Sequence, residues 1–235
     1  MKFILLFLMS CSSHGSHNFS KAKKILPLIF QKDQVTLYCG CEYTQKTIDL
    51  QSCGYRPQRD FKRAKRLEWE HVVPAHAFGQ AFQEWRQGDV KCVKKGRKYK
   101  GRKCARLNPD FARMEGDLYN LYPEIGELNG LRSNFSMAAL GPPGKGSMTF
   151  GDCKAHILDR KFEPMDRAKG IVARIYTYMD LTYPGRGIVS DKNKKLFEAW
   201  DKMFPATKSE CERMILIRNA TGMLNPILEK ACLKK

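Results

Sequence analysis

Read from its start, the chain opens on one cation, Lys2, and a short apolar run from Phe3 to Met9, before the pattern turns mixed. Ser20 reads as the cap of a first helix through Ala22, Ile25, Leu26 and Ile29. That is helical spacing, and Pro27 should kink or stop the helix. Val35 to Tyr38 reads as a short strand, and Leu67 to Val73 as another that ends at Pro74. Residues 54–66, 88–110 and 141–151 read as loops, the first two heavily basic. Pro123 sits as the first position of a short helix, with Glu124 in its first turn. Beyond Pro164 the pattern becomes helical. Met165, Ala168, Ile171, Val172, Ile175, Tyr176 and Met179 recur on one face, and Ser190 caps a segment carrying Leu196, Phe197, Trp200 and Met203. Thr207-Lys208-Ser209-Glu210 is a capping box, and Asn225-Pro226 opens a last helix. Few strands and no alternating βαβ pattern predict an α+β chain, mixed in its first half and mostly helical in its second.

The ends and the cysteines suggest a compartment. Residues 1–15 read as a cleaved signal peptide, which leaves 16–235 as one domain. Leu8-Met9-Ser10-Cys11 offers a second reading, a lipoprotein box with Cys11 as the anchored residue. Without Cys11, eight cysteines remain: Cys39, Cys41, Cys53, Cys92, Cys104, Cys153, Cys211 and Cys232. An even number in an exported chain points to disulfides, with Cys92 and Cys104 close enough to staple the loop between them. A zinc site would need paired spacings that these cysteines lack. No apolar run reaches the length of a membrane span.

Charge narrows the partner. With 42 Lys+Arg against 24 Asp+Glu the net charge is +18, a surplus that suits a polyanion. Nine cations and no acid lie between Lys91 and Arg106, and six cations accompany Asp60 between Arg56 and Arg66. Such dense like charge is relieved by phosphates, which are held without reading bases. Arg66, Lys94, Lys95, Arg97, Lys98, Lys100, Lys103 and Arg106 are the candidate nucleic-acid contacts. The protein is expected to act as a monomer.

Chemistry concentrates in Glu68-Trp69-Glu70-His71-Val72-Val73-Pro74-Ala75-His76, where a hard oxygen ligand adjoins a base that titrates near neutrality. The H-E-x-x-H pattern is absent, because His71 and His76 are five apart with Pro74 between them. On an ideal strand Glu70 and His71 would face opposite ways, so a bulge or the strand end should turn one of them. Downstream, Asn120 is placed to brace the site and Asn129 to offer a neutral carbonyl oxygen to a metal.

Taken together, Tyr38-Cys39-Gly40-Cys41, Asp49 to Tyr55, Glu68 to Ala75, Met114-Glu115-Gly116-Asp117 with Asn120-Leu121, and Gly126-Glu127-Leu128-Asn129-Gly130 resemble bacterial endonuclease I. Those are periplasmic or secreted nucleases built on a ββα-metal finger, and the resemblance spans nearly all of the mature chain. It implies that His71 is the general base and that Glu70 and Asn129 hold one Mg²⁺, a site that Mn²⁺ or Ca²⁺ could also take. Arg102 would hold the scissile phosphate, with Lys103 or Arg106 as alternatives because the spacing before Cys104 departs from the family's. Glu115 and Asn120 match supporting positions. His76 stands where the family has tryptophan and reads as a surface or packing residue. The implied activity is sequence-independent hydrolysis of DNA, and of RNA, leaving 5′-phosphate ends. A non-catalytic DNA binder and a metal-free ribonuclease are the rivals.

Overall fold

The computed structural model describes residues 18–233, so the leader reading, Cys11 included, lies outside the described residues. The first helix, α1 (Phe19–Ile29), is capped by Asn18, whose side chain accepts from the Lys21 amide, rather than by Ser20. Pro27 has no amide to give, and the helix ends two residues after it.

Strand β1 (Leu67–His71) pairs antiparallel with β2 (Leu121–Ile125), and helix α2 (Gly126–Arg132) follows β2 directly. This strand–strand–helix unit is the ββα element that the resemblance implied. Pro123 lies inside β2, opposite Trp69, and opens no helix. Its carbonyl accepts from the Leu37 amide on the side away from β1, so its missing N–H subtracts nothing from the ladder. Residues 35–38 are correspondingly not a strand: they form a turn laid against that outer edge, with a lone bridge from Val35 to Glu42.

The loop readings hide regular structure. A hairpin of Val93–Lys94 and Arg97–Lys98 occupies the basic stretch, followed by helical turns at Arg102–Ala105 and Pro109–Glu115. A four-stranded sheet that the pattern does not announce follows. Its strands are β3 (Ser136–Met137), β4 (Met148–Phe150), β5 (Cys153–Leu158) and β6 (Lys161–Glu163), in the order β3-β6-β5-β4.

Helices α3 (Asp166–Thr182), α4 (Asp191–Met203), α5 (Lys208–Thr221) and α6 (Pro226–Cys232) complete the chain. The Ser190 cap, the Thr207–Glu210 capping box and the Asn225 cap all form as their residue types require. Phe197 and Trp200 are buried in the core, as expected of an apolar helical face. The result is a single α+β domain. No helix among the described residues is long and apolar enough to cross a membrane.

Four disulfides staple it: Cys39–Cys153, Cys41–Cys53, Cys92–Cys104 and Cys211–Cys232. The first closes a separation of 114 residues and the third one of 12. In the chain-entropy account these disfavour the unfolded state by about 5 and about 3 kcal/mol respectively.

Candidate active site

The ladder from Leu67 to His71 runs without a bulge, so its side chains alternate strictly. Glu68 and Glu70 face α2, where they meet Asn129 and Arg132. Trp69 and His71 face α1, where they meet Phe30 and Phe19. The expected bulge is absent. Both faces nevertheless reach one site, because past Leu67, whose amide bonds the Lys46 carbonyl, β1 has no second strand partner among the described residues. A cleft of about 640 Å³ runs past that open edge and is lined by Glu68, Glu70, His71, Arg102 and Asn129 together.

His71 is buried, with the Phe19 ring 4.7 Å from its own. Its Nε2 lies 2.9 Å from the Glu115 carbonyl oxygen, which can only accept, so Nε2 carries the proton. Nδ1 therefore holds the lone pair, with Arg102 Nη2 3.5 Å away. Burial, reinforced by the positive charge of Arg102, pulls the imidazole down to about 4. The ring is therefore uncharged at neutral pH.

The Glu115 carboxylate gathers two arginines. Arg102 Nε bonds Oε1, and Arg106 donates from Nε at 2.7 Å and from Nη2 at 2.6 Å. Burial works to raise this carboxyl, but Arg106 and Arg102 outweigh it and hold it below the usual range. Glu115 thus supports Arg102 by its side chain and His71 by its backbone.

Glu70 is buried, and both hydrogen bonds it accepts from side chains fall on Oε1: from Tyr38 Oη at 2.9 Å and Arg132 Nη1 at 3.0 Å. Oε2 takes no side-chain hydrogen bond among the described residues, in a side chain that lines the cleft. On α2, Asn129 donates Nδ2 to Glu68 Oε2 at 3.1 Å. A carboxylate cannot donate, so this contact fixes the amide, with Oδ1 unbonded among the described residues. Glu68 is itself held by Arg63 and Arg66. One free carboxylate oxygen and one free amide oxygen fit a magnesium-type ion that keeps several waters. Among the described residues no three His, Cys, Asp or Glu converge as around zinc.

Asn120 lies outside the cleft. Its side chain accepts from the Val73 amide at 2.7 Å and donates to the Val73 carbonyl at 3.0 Å, which continues the pairing where β1 stops. The strand therefore ends at His71, two residues short of the expected Val73. Of the basic candidates, Arg66 lines the cleft and Arg106 is tied to it through Glu115. Lys94, Lys95, Arg97 and Lys98 stand exposed on the hairpin that Cys92–Cys104 staples, with Lys100 and Lys103 exposed either side of Arg102. His76 is exposed, with its ring against Trp85. The cleft also takes Phe19, Lys23 and Lys46, which sequence reasoning passed over. Lys23 was legible only as the polar face of an amphipathic helix, and nothing local marks Lys46.

A model of the family described as Endonuclease I matches residues 7–232. An extracellular deoxyribonuclease of Aeromonas hydrophila is 41% identical over 241 residues, covering 99% of this chain and 97% of that protein. The Endonuclease-1 of Buchnera aphidicola subsp. Acyrthosiphon pisum (strain APS) is 41% identical over 224 residues, covering 93% and 83%. A periplasmic deoxyribonuclease of Aeromonas hydrophila is 37% identical over 237 residues, covering 97% and 92%. Fold, basic cleft and these likenesses define the class: the protein is a nuclease. Within it, the chain belongs to the endonuclease I family.

Proposed function

We propose that the protein is an exported, Mg²⁺-dependent endonuclease that hydrolyses DNA, and RNA, without reading sequence. The similar proteins named extracellular and periplasmic deoxyribonucleases support the substrate and the location. The observation that carries the mechanism is the His71 tautomer: Nε2–H is committed to the Glu115 carbonyl, and the Nδ1 lone pair is left beside Arg102. Nδ1 takes a proton from a water, which attacks phosphorus as hydroxide. Arg102, steadied by Glu115, holds the phosphate's anionic oxygens. The bond from phosphorus to the 3′ oxygen breaks, that oxygen is protonated from solvent, and a 5′-phosphate remains. Glu70 Oε2 and Asn129 Oδ1 would hold one Mg²⁺, which would supply stabilisation of the charge building on the phosphate and the departing oxygen. The exposed cations hold the strand by its backbone, so binding is independent of sequence.

Purified protein should degrade plasmid in the presence of Mg²⁺. EDTA should stop it, and His71→Ala should reduce the rate by about 10²- to 10⁴-fold. Robust cleavage surviving both changes would overturn the mechanism. Salt-sensitive binding with no strand scission by the wild type would make the protein a DNA binder instead.

A further inference from the structure

The Arg132 side chain is wholly buried, which is costly for an ion unless its surroundings use it closely. Replacing a buried ion pair by apolar groups is often neutral or stabilising, so stability alone does not account for this arginine. Its contacts are specific. Nη1 donates to Glu70 Oε1 at 3.0 Å and to the His71 carbonyl at 3.2 Å; Nη2 donates to the Val72 carbonyl at 2.7 Å and to Tyr176 Oη at 3.3 Å.

An arginine beside a carboxylate often forms two parallel bonds, one to each oxygen, as Arg174 does with Glu210. Here the second nitrogen is drawn away to Val72 and Tyr176, and only Oε1 is engaged. Tyr38, also wholly buried, adds its hydroxyl to that same oxygen at 2.9 Å. Oε2 is left for the cleft. Arg132 also sits three residues after Asn129 on α2, so one guanidinium ties the helix bearing the amide oxygen to the strand bearing the carboxylate and the base.

We propose that Arg132, assisted by Tyr38, is a positioning residue that holds Glu70 with one oxygen engaged inward and the other presented to the metal, and sets the spacing between Glu70 and Asn129. This rests on the metal-dependent reading above and adds to it the device that shapes the metal site. Neither residue touches substrate. Their loss should therefore weaken metal uptake and leave metal-free DNA binding alone.

The test is calorimetric titration of Mn²⁺ and Mg²⁺ into metal-free wild type, Arg132→Lys and Tyr38→Phe. Circular dichroism reports folding, and DNA binding is measured in EDTA. Lysine keeps the charge but cannot reach four acceptors, so its metal Kd should rise at least tenfold. Tyr38→Phe removes one donor with little change in shape, and its Kd should rise severalfold, with kcat recovering at high Mg²⁺. Metal-free DNA binding should match the wild type in both. Wild-type metal affinity in either folded variant overturns the proposal, as does an equal loss of metal-free DNA binding. If Arg132→Lys does not fold, Tyr38→Phe decides alone. A wild type that takes up neither ion overturns the metal-dependent reading itself, which separates the two failures.

Discussion

At the scale of single residues, two buried carboxylates invite direct tests. Glu115 is the shared partner of Arg102 and Arg106, so Glu115→Gln leaves two cations adjacent without their neutraliser. Cleavage of DNA should lose at least about tenfold in kcat/KM, in line with the 1.5–3 kcal/mol of a charge-assisted bond. Steady-state kinetics on a defined oligonucleotide checks this. Glu124 lies behind the site, bonded to the amides of Tyr38 and Ile125, and burial pushes its carboxyl up to about 8. Between its unfolded value near 4.5 and 8 the native state carries a proton that the unfolded chain has lost. Its stabilising contribution is therefore full below about pH 4.5 and falls as pH rises, by up to about 1.4 kcal/mol per pH unit. The melting temperature of the wild type relative to Glu124→Gln should be highest at pH 5 and shrink toward pH 8. A difference that stays flat with pH would falsify this assignment.

Elements show where sequence was legible and where it was not. Caps are local chemistry, so Ser190, Thr207 and Asn225 could be read directly. Pro123 misled because proline favours both a helix start and an outward-facing strand position, and only the pairing with Trp69 decides between them. The sheet of β3–β6 was invisible because its strands are two to six residues long and joined by loops, too short to show a period. Within the site, Glu70, His71 and Asn129 stood out through motif resemblance. Arg132 did not, since a lone arginine at the end of a helix reads as a solvated charge until the fold buries it. One motif glycine is explained by packing: a Cβ on Gly126 would come within 2.6 Å of the Arg63 carbonyl and 2.8 Å of the Arg66 carbonyl. Gly126→Ala should destabilise by about 1–3 kcal/mol in denaturant titration, because backbone atoms on both sides must shift. The Cys92–Cys104 staple makes a separate prediction. Replacing both cysteines by serine frees the hairpin and the turn that starts at Arg102, so KM for DNA should rise more than kcat falls.

For the molecule as a whole, the charge of +18 has become a distribution. Arg66 and Arg102 line the cleft, while Lys94, Lys95, Arg97 and Lys98 stand out on a stapled hairpin. If all four of these neutralise phosphates, changing them to glutamine should flatten the log–log dependence of DNA binding on salt by up to about 3.6, with no change in which sequences are bound. Fluorescence anisotropy over a salt series measures both. The way β1 is used has a consequence for folding fidelity. His71 lies on one face of the strand and Glu70 on the other, so a slip of one residue would turn each to the opposite face. A slip one way would carry Glu70 to the Phe19 ring, and a slip the other way would carry His71 to the Arg132 guanidinium. No partly correct pairing leaves a weakened enzyme behind. Cleavage would thus report strand register: a slipped molecule would still hold nucleic acid through its hairpin cations but not cut it.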